Sequence, residues 1–190
     1  VFLRHETGAH VERAERIRLI PQRLRQAGIE QRVRRPSWEP ISAQRLRQVH
    51  SGGYVGEVWA FSKSGGGYIE HDTVVSPASY DVALLAAGSV CDATERLIRG
   101  EDTRALCLVR PPGHHALSDR PMGFCLFNNV AVAAKLATDE LQLNRVLIVD
   151  WDVHHGNGTQ AAFWEDPRVG FLSIHRWPFY PGTGWEDETG

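Results

Sequence analysis

Cysteine is scarce in this chain. Cys91, Cys107 and Cys125 are odd in number, widely spaced and set in apolar text. That argues against a disulfide framework and suits buried thiols in a reducing compartment, so the expected address is cytoplasmic. Long apolar runs are lacking too: even "NVAVAAKLA" is broken by Lys135, short of the roughly 18 residues of a membrane span, and no signal peptide is visible. Neither sign of charge prevails. Twenty-one basic against 23 acidic residues leave a formal charge of −2, no field that would recruit nucleic acid or an anionic membrane. Internal repeats and low-complexity linkers are missing. What is there is 190 residues, 42% of them hydrophobic, enough for a single domain over 1–190 with a substantial core. Starting at Val1 and stopping at Gly190 after "YPGTGWEDETG", it reads as a fragment whose domain continues beyond.

From Val11 to Ala27, Ile17, Ile20 and Leu24 recur at helical spacing, Gly28 supplies a stop, and Pro21 is expected to kink or split the segment. The arginines interleaved with Glu12 and Glu15 read as its solvated face. Ser76 and Pro77 form an N-cap and first-turn pair for a largely buried helix ending at Ile98 and Gly100. After it "ALCLVR" reads as a strand, "FNNVAVAAKLATDEL" as a helix, "RVLIVD" as a strand, "GTQAAFW" as a short helix and "VGFLSIH" as a strand. Strands apolar on both faces and separated by helices imply an α/β architecture, a mostly parallel sheet covered on both sides. In such sheets the site lies beyond the carboxyl ends of the strands.

All three strands run there into unusual polar text: "RPPGHHALSDRPMGF", "DWDVHHGNG" and "HRWPFYPGTG". If the chain stays extended past Val149, the period of two puts Asp150, Asp152 and His154 on one side within about 14 Å of backbone. Two oxygens and one imidazole suit a divalent ion such as zinc, and carboxylates at a buried strand end call for a cation or strong hydrogen bonds. The plainer alternative is that the two acids cap the following helix and His154 and His155 are satisfied polar residues. A second pair weighs against it: Pro111, Pro112 and Gly113 fix a rigid turn before His114 and His115, so two imidazoles could face the same pocket mouth.

Together these residues resemble the zinc-dependent histone deacetylase superfamily, specifically its class II and bacterial relatives, the acetylpolyamine amidohydrolase and acetoin-utilisation proteins. "HETGAHVERAERI", "EHDTVVSPASYDVALLAAG", "RPPGHHA", "GFCLFNNVAVAA", "DWDVHHGNGTQ" and "SIHRWPFYPGTG" carry the likeness over nearly the whole chain. The resemblance implies an arginase-like three-layer fold. It makes Asp152 and His154 two of three zinc ligands; the third, an aspartate, and a late tyrosine that polarises the substrate carbonyl would lie beyond Gly190. His115 matches the general base and His114 its electrostatic partner, hydrogen-bonded by Asp150. Asp150, Asp152, His154, Ser173 and Ile174 match the oxygen donors of a buried potassium site.

Asn157 stands where class I members carry a second aspartate, so His115 should be neutral more readily near pH 7. Phe124 and Tyr180 match the walls of an acyl-lysine tunnel, with Gly123 leaving room; without the resemblance both would more often be core residues. Asp72 matches a rim acid that holds the substrate backbone, or else is a solvated loop acid. His5, His10, His50, His71 and His175 read as structural or surface residues. The implied function is removal of an acetyl or short acyl group from a lysine side chain, in a peptide or protein, or from an acetylpolyamine, with rim loops and oligomeric contacts choosing among substrates. Two alternatives stand beside it: a binuclear manganese ureohydrolase, whose pattern needs a carboxylate where this chain has Gly156, and a non-catalytic member that binds acyl-lysine or a partner protein.

Overall fold

In a computed structural model, all residues from Val1 to Gly190 are described. A short 3₁₀ turn at Phe2–Arg4 precedes α1 (Glu15–Gln26), a second lies at Glu30–Arg32, and α2 (Ala43–Leu46) leads to α3 (Gly52–Lys63). The hairpin strands β1 (Gly67–Glu70) and β2 (Thr73–Val75) follow, then α4 (Ser79–Ile98). The second half comprises α5 (Asn129–Lys135), running on as a π-turn over Leu136–Glu140, then β3 (Val146–Asp150), α6 (Asn157–Phe163) and β4 (Val169–Ser173).

The main core lies between α3, α4 and α5. Leu46, Tyr54, Val58, Ala83, Ala87, Leu126, Phe127, Val132 and Leu136 belong to one buried cluster. The small residues of α4 recur on one face, so its backbone can lie close to its neighbours. A smaller cluster packs Ile148 and Val169 against Ala131, Ala134 and Phe163, which places α5 and α6 on one face of a β3–β4 pair. That pair is parallel, with Asp150 opposite Ser173 at its carboxyl end.

Several sequence expectations are corrected. Pro21 neither ends nor splits α1, which runs through it; only the rung to the Ile17 carbonyl is forfeited. Ser76 does not cap α4, which starts three residues later after Ala78. Its hydroxyl instead accepts the Glu6 amide at 3.1 Å, and its own amide donates to Ser79 Oγ at 2.7 Å, so it anchors the amino-terminal segment. Residues 105–110, "ALCLVR", form no strand: the ladders are β1–β2 and β3–β4, and these residues take part in neither. Within these 190 residues the parallel pair carries α5 and α6 on one face, and Leu147 and Leu172 on the other are 67% and 51% exposed. The three cysteines are free, as expected, with Cys91 and Cys125 buried.

Candidate active site

The turn after residues 105–110 and the loop after β3 meet. Its hinge is α6: the amides of Gly158 and Thr159 both donate to the His114 carbonyl, at 2.9 and 3.1 Å, so the first turn of that helix holds the histidine turn in place. Thr159 in turn meets Asn128, whose side chain caps α5 through the Ala131 amide.

Two imidazole dyads result. His114 Nδ1 pairs with Asp150 Oδ2 at 2.8 Å, and His115 Nδ1 pairs with Asn157 Oδ1 at 2.8 Å. The two rings lie 4.0 Å apart between centroids. His115 is 3% exposed. Burial, and after it the neighbouring His114, bring its pKa down to about 4, against a smaller upward pull from Asn157. With Nδ1–H committed to the amide oxygen, its Nε2 keeps a free lone pair.

Asp152 and His154 sit beside the dyads at the surface, half-exposed. Asp152 Oδ1 accepts both the His154 amide and His154 Nδ1 at 2.9 Å. Burial raises the Asp152 pKa, but these bonds and the surrounding histidines outweigh it and lower the carboxyl overall. No group of three or more His, Cys, Asp or Glu side chains in the chain is arranged to hold a metal ion. One carboxylate and one imidazole that lie side by side, here hydrogen-bonded to each other, nonetheless match in kind two ligands of zinc. Of the groups expected around a monovalent cation, the strand register puts Asp150 beside Ser173, and the Ile174 amide donates to the Asp150 carbonyl at 2.9 Å. Ser173 Oγ is engaged with His175 Nδ1 at 2.8 Å.

The wall residues converge as well. The Tyr180 ring stands edge-on to His115 at 5.0 Å and lies 6.2 Å from His154. Burial, then the charges of Asp72 and Glu70, raise its phenol pKa. Gly123 has φ +55°, and a Cβ there would overlap the His115 ring and crowd the Tyr180 ring, so glycine is required between them. Phe124 adopts φ +71°, an unusual value for an aromatic residue. Its amide donates to Thr73 Oγ1 at 3.1 Å, and Thr73 Oγ1 donates to the Asp72 carboxylate at 3.1 Å. The β1–β2 turn thus ties Phe124 and Asp72 together through one hydroxyl.

Sequence reasoning missed Thr73, which nothing in its spacing marks, and His10. The latter, read as structural or surface, has its Nε2 3.1 Å from the Asp72 carbonyl and its ring edge-on to Phe124 at 4.8 Å. His175, read the same way, lies tilted against His155 at 4.7 Å between ring centroids, and His155 itself bonds Thr183 Oγ1 at 2.8 Å. His5 and His50 are buried, in line with a structural part.

A profile of the histone deacetylase domain matches residues 10–190. The chain belongs to the histone deacetylase family. It is 42% identical over 188 residues to a protein of Methanothermobacter thermautotrophicus named as a probable deacetylase, covering 98% of this chain and 56% of that one. A histone deacetylase-like amidohydrolase of Pseudomonas aeruginosa is 41% identical over 180 residues, 94% of this chain and 47% of that protein. Among solved structures, the crystal structure of the HDA15 HD domain superposes with a TM-score of 0.92 at 42% identity, over 97% of this chain and 54% of that one. This chain therefore spans about half the length of the relatives it matches. The α/β, arginase/deacetylase-like fold class follows from the structural likeness.

The carboxylate that the ureohydrolase pattern needs is absent at Gly156. A Cβ at Gly156 would overlap Asp150 Oδ2 and lie 3.3 Å from His114 Nδ1, so the His114–Asp150 dyad occupies the space a second-metal carboxylate would need.

Proposed function

We propose that this chain is the amino-terminal part of a single zinc-dependent amidohydrolase domain, cytoplasmic, that removes an acetyl or other short acyl group from the amine of a lysine side chain or a polyamine. The observation that carries the reading is the pair of adjacent imidazole dyads, one backed by a carboxylate and one by a neutral amide. That difference separates their tasks: His114 is held by the Asp150 carboxylate, while His115 beside Asn157, pushed to the neutral side by burial, is free to accept a proton.

Asp152 and His154 would hold the zinc, with a third ligand from a later part of the domain, and Asp150, Asp152, His154, Ser173 and Ile174 a potassium ion behind it. When bound, zinc supplies a Lewis acid for the water and the acyl carbonyl. The chain's own residues do the rest. His115 Nε2 takes the proton as water oxygen adds to the carbonyl carbon, then returns it to the departing nitrogen as the C–N bond breaks. A carboxylate and a free amine leave. Phe124 and Tyr180 flank the acyl-bearing chain, Gly123 gives it passage past His115, and Asp72 stands at the rim.

A turnover panel tests this in the full-length protein: acetyl-lysine peptides, acetylated polyamines and longer acyl amides, each with and without a chelator. Chelator-sensitive release of carboxylate from one of these classes is expected. Release that survives complete removal of metal overturns the zinc assignment; no release on any acyl amine overturns the reading as a whole and favours a non-catalytic member.

A further inference from the structure

The most thoroughly buried charges in the chain lie outside the site. Glu12 and Arg110 are 1% and 2% exposed, and His5 beside them 1%. The Arg110 guanidinium grips Glu12 in a two-pronged pair, Nε to Oε1 at 2.6 Å and Nη2 to Oε2 at 2.7 Å. Its remaining arm, Nη1, donates to the Phe2 carbonyl at 2.9 Å. His5 Nε2 lies 3.6 Å from Glu12 Oε2, and His5 Nδ1 meets Ser79 Oγ at 2.6 Å. Burial, opposed by Glu12, takes the His5 pKa down to about 4, so the cluster holds one acid against one base beside a neutral ring. Sequestering a charge pair is costly, and such a pair adds geometry more readily than stability.

Its two ends show which geometry. Arg110 opens the turn that carries His114 and His115. That turn is pinned further along by the Ala116 amide on the Gly113 carbonyl and by Asn129 Nδ2 on the Pro111 carbonyl at 3.2 Å. On the other side, the Glu12 amide donates to His10 Nδ1 at 3.1 Å. Because Nδ1 accepts, the ring hydrogen sits on Nε2, which donates to the Asp72 carbonyl while the ring edge buttresses Phe124. Glu12 therefore connects the histidine turn at the floor of the acyl tunnel with the wall and rim at its mouth.

We infer that Glu12 is a positioning residue: clamped by Arg110 and bonded to His10, it holds the floor and the mouth of the tunnel in mutual register. This deepens the proposed function, on which it rests only for the naming of floor and mouth. Glu12→Gln keeps the shape and removes the charge, leaving Arg110 buried without its counter-ion. Hydrogen exchange in the full-length protein reads the result. The floor reporters are the Ala116 and Leu117 amides, bonded to the Gly113 and Arg120 carbonyls; the mouth reporters are Phe124 and Cys125, bonded to Thr73 Oγ1 and the Met122 carbonyl. Both sets should exchange at least ~10-fold faster than in the parent, while mid-helix amides of α3 and α5 keep their rates. The double variant Glu12→Leu with Arg110→Met, which strands neither charge, should give the same pattern and serves as the reading if the single variant does not fold. A uniform rise throughout the protein, or one confined to residues 2–12, overturns the inference. Exchange requires neither metal nor turnover, so absence of deacylase activity would sink the functional reading and leave this one standing, and the reverse holds equally.

Discussion

His115 has the most demanding assignment in the chain: it must be buried, neutral and still offer one nitrogen. Its Nδ1 bond to Asn157 and its 3% exposure meet the first two demands, and Nε2 meets the third. His115→Ala in the full-length protein should keep its metal yet lose on the order of 100-fold or more in turnover, the usual scale for a general base. Near-parental turnover in that variant would place the base elsewhere. Gly156 makes a sharper demand at the same scale. A methyl group there would displace Asp150 from His114, and a shift of about 1 Å in a reacting constellation costs roughly 100-fold. Gly156→Ala should therefore lose turnover by about that factor; kinetics beside a melting curve separate that loss from the stability cost of an alanine at the N-cap of α6.

Among the elements, the β1–β2 hairpin governs the tunnel wall. Thr73 is fully buried and its hydroxyl satisfies the Phe124 amide, so Thr73→Val should cost about 1 to 3 kcal/mol by denaturant titration. Phe124→Ala should weaken catalysis on acyl-lysine without loss of metal; unchanged kinetics over the substrate panel would make Phe124 a core residue after all. This hairpin was not legible in "GYIEHDTVV", because two strands of three and four residues with a register shift leave no alternation long enough to read. By contrast β3, α6 and β4 were legible to within a residue or two, each bounded by its own turn residues. "ALCLVR" carried an equally clear strand pattern but has no ladder, since strand formation depends on a partner that a local pattern does not supply. Ser76 misled for a related reason: its hydroxyl found a tertiary partner in the Glu6 amide, and a cap signal cannot foretell that competition. Of the site, the dyads and the proposed metal donors stand in motifs that carry the family likeness, whereas His10 and Glu12 act through contacts 62 and 98 residues away in sequence.

Across the whole molecule, stability should track the buried histidines. His50 donates from Nδ1 to the Leu117 carbonyl at 2.8 Å and accepts the Asn128 amide at Nε2 at 2.9 Å, a bond it can accept only when neutral. Burial lowers its pKa from 6.5 to about 4. The unfolded chain therefore takes up the proton first as pH falls, so this contribution is intact above about pH 6.5 and lost between 6.5 and 4. By pH 5 about 2 kcal/mol should be gone. A His50→Gln variant, weaker at pH 7, should lose correspondingly less between pH 7 and 5; parallel stability curves would refute the assignment.

The uncovered sheet face, with Leu147, Val149, Leu172 and Ile174 exposed, predicts that the 190-residue chain by itself associates in solution, which light scattering would show. Supplying two zinc donors where catalytic sites typically use three, it should also bind zinc weakly and turn over no substrate. The most direct test of the account is metal analysis with turnover on the full-length protein carrying Asp152→Ala or His154→Ala. The account predicts bound zinc well below one per chain and no measurable deacylation in either variant; full zinc occupancy in both would contradict it.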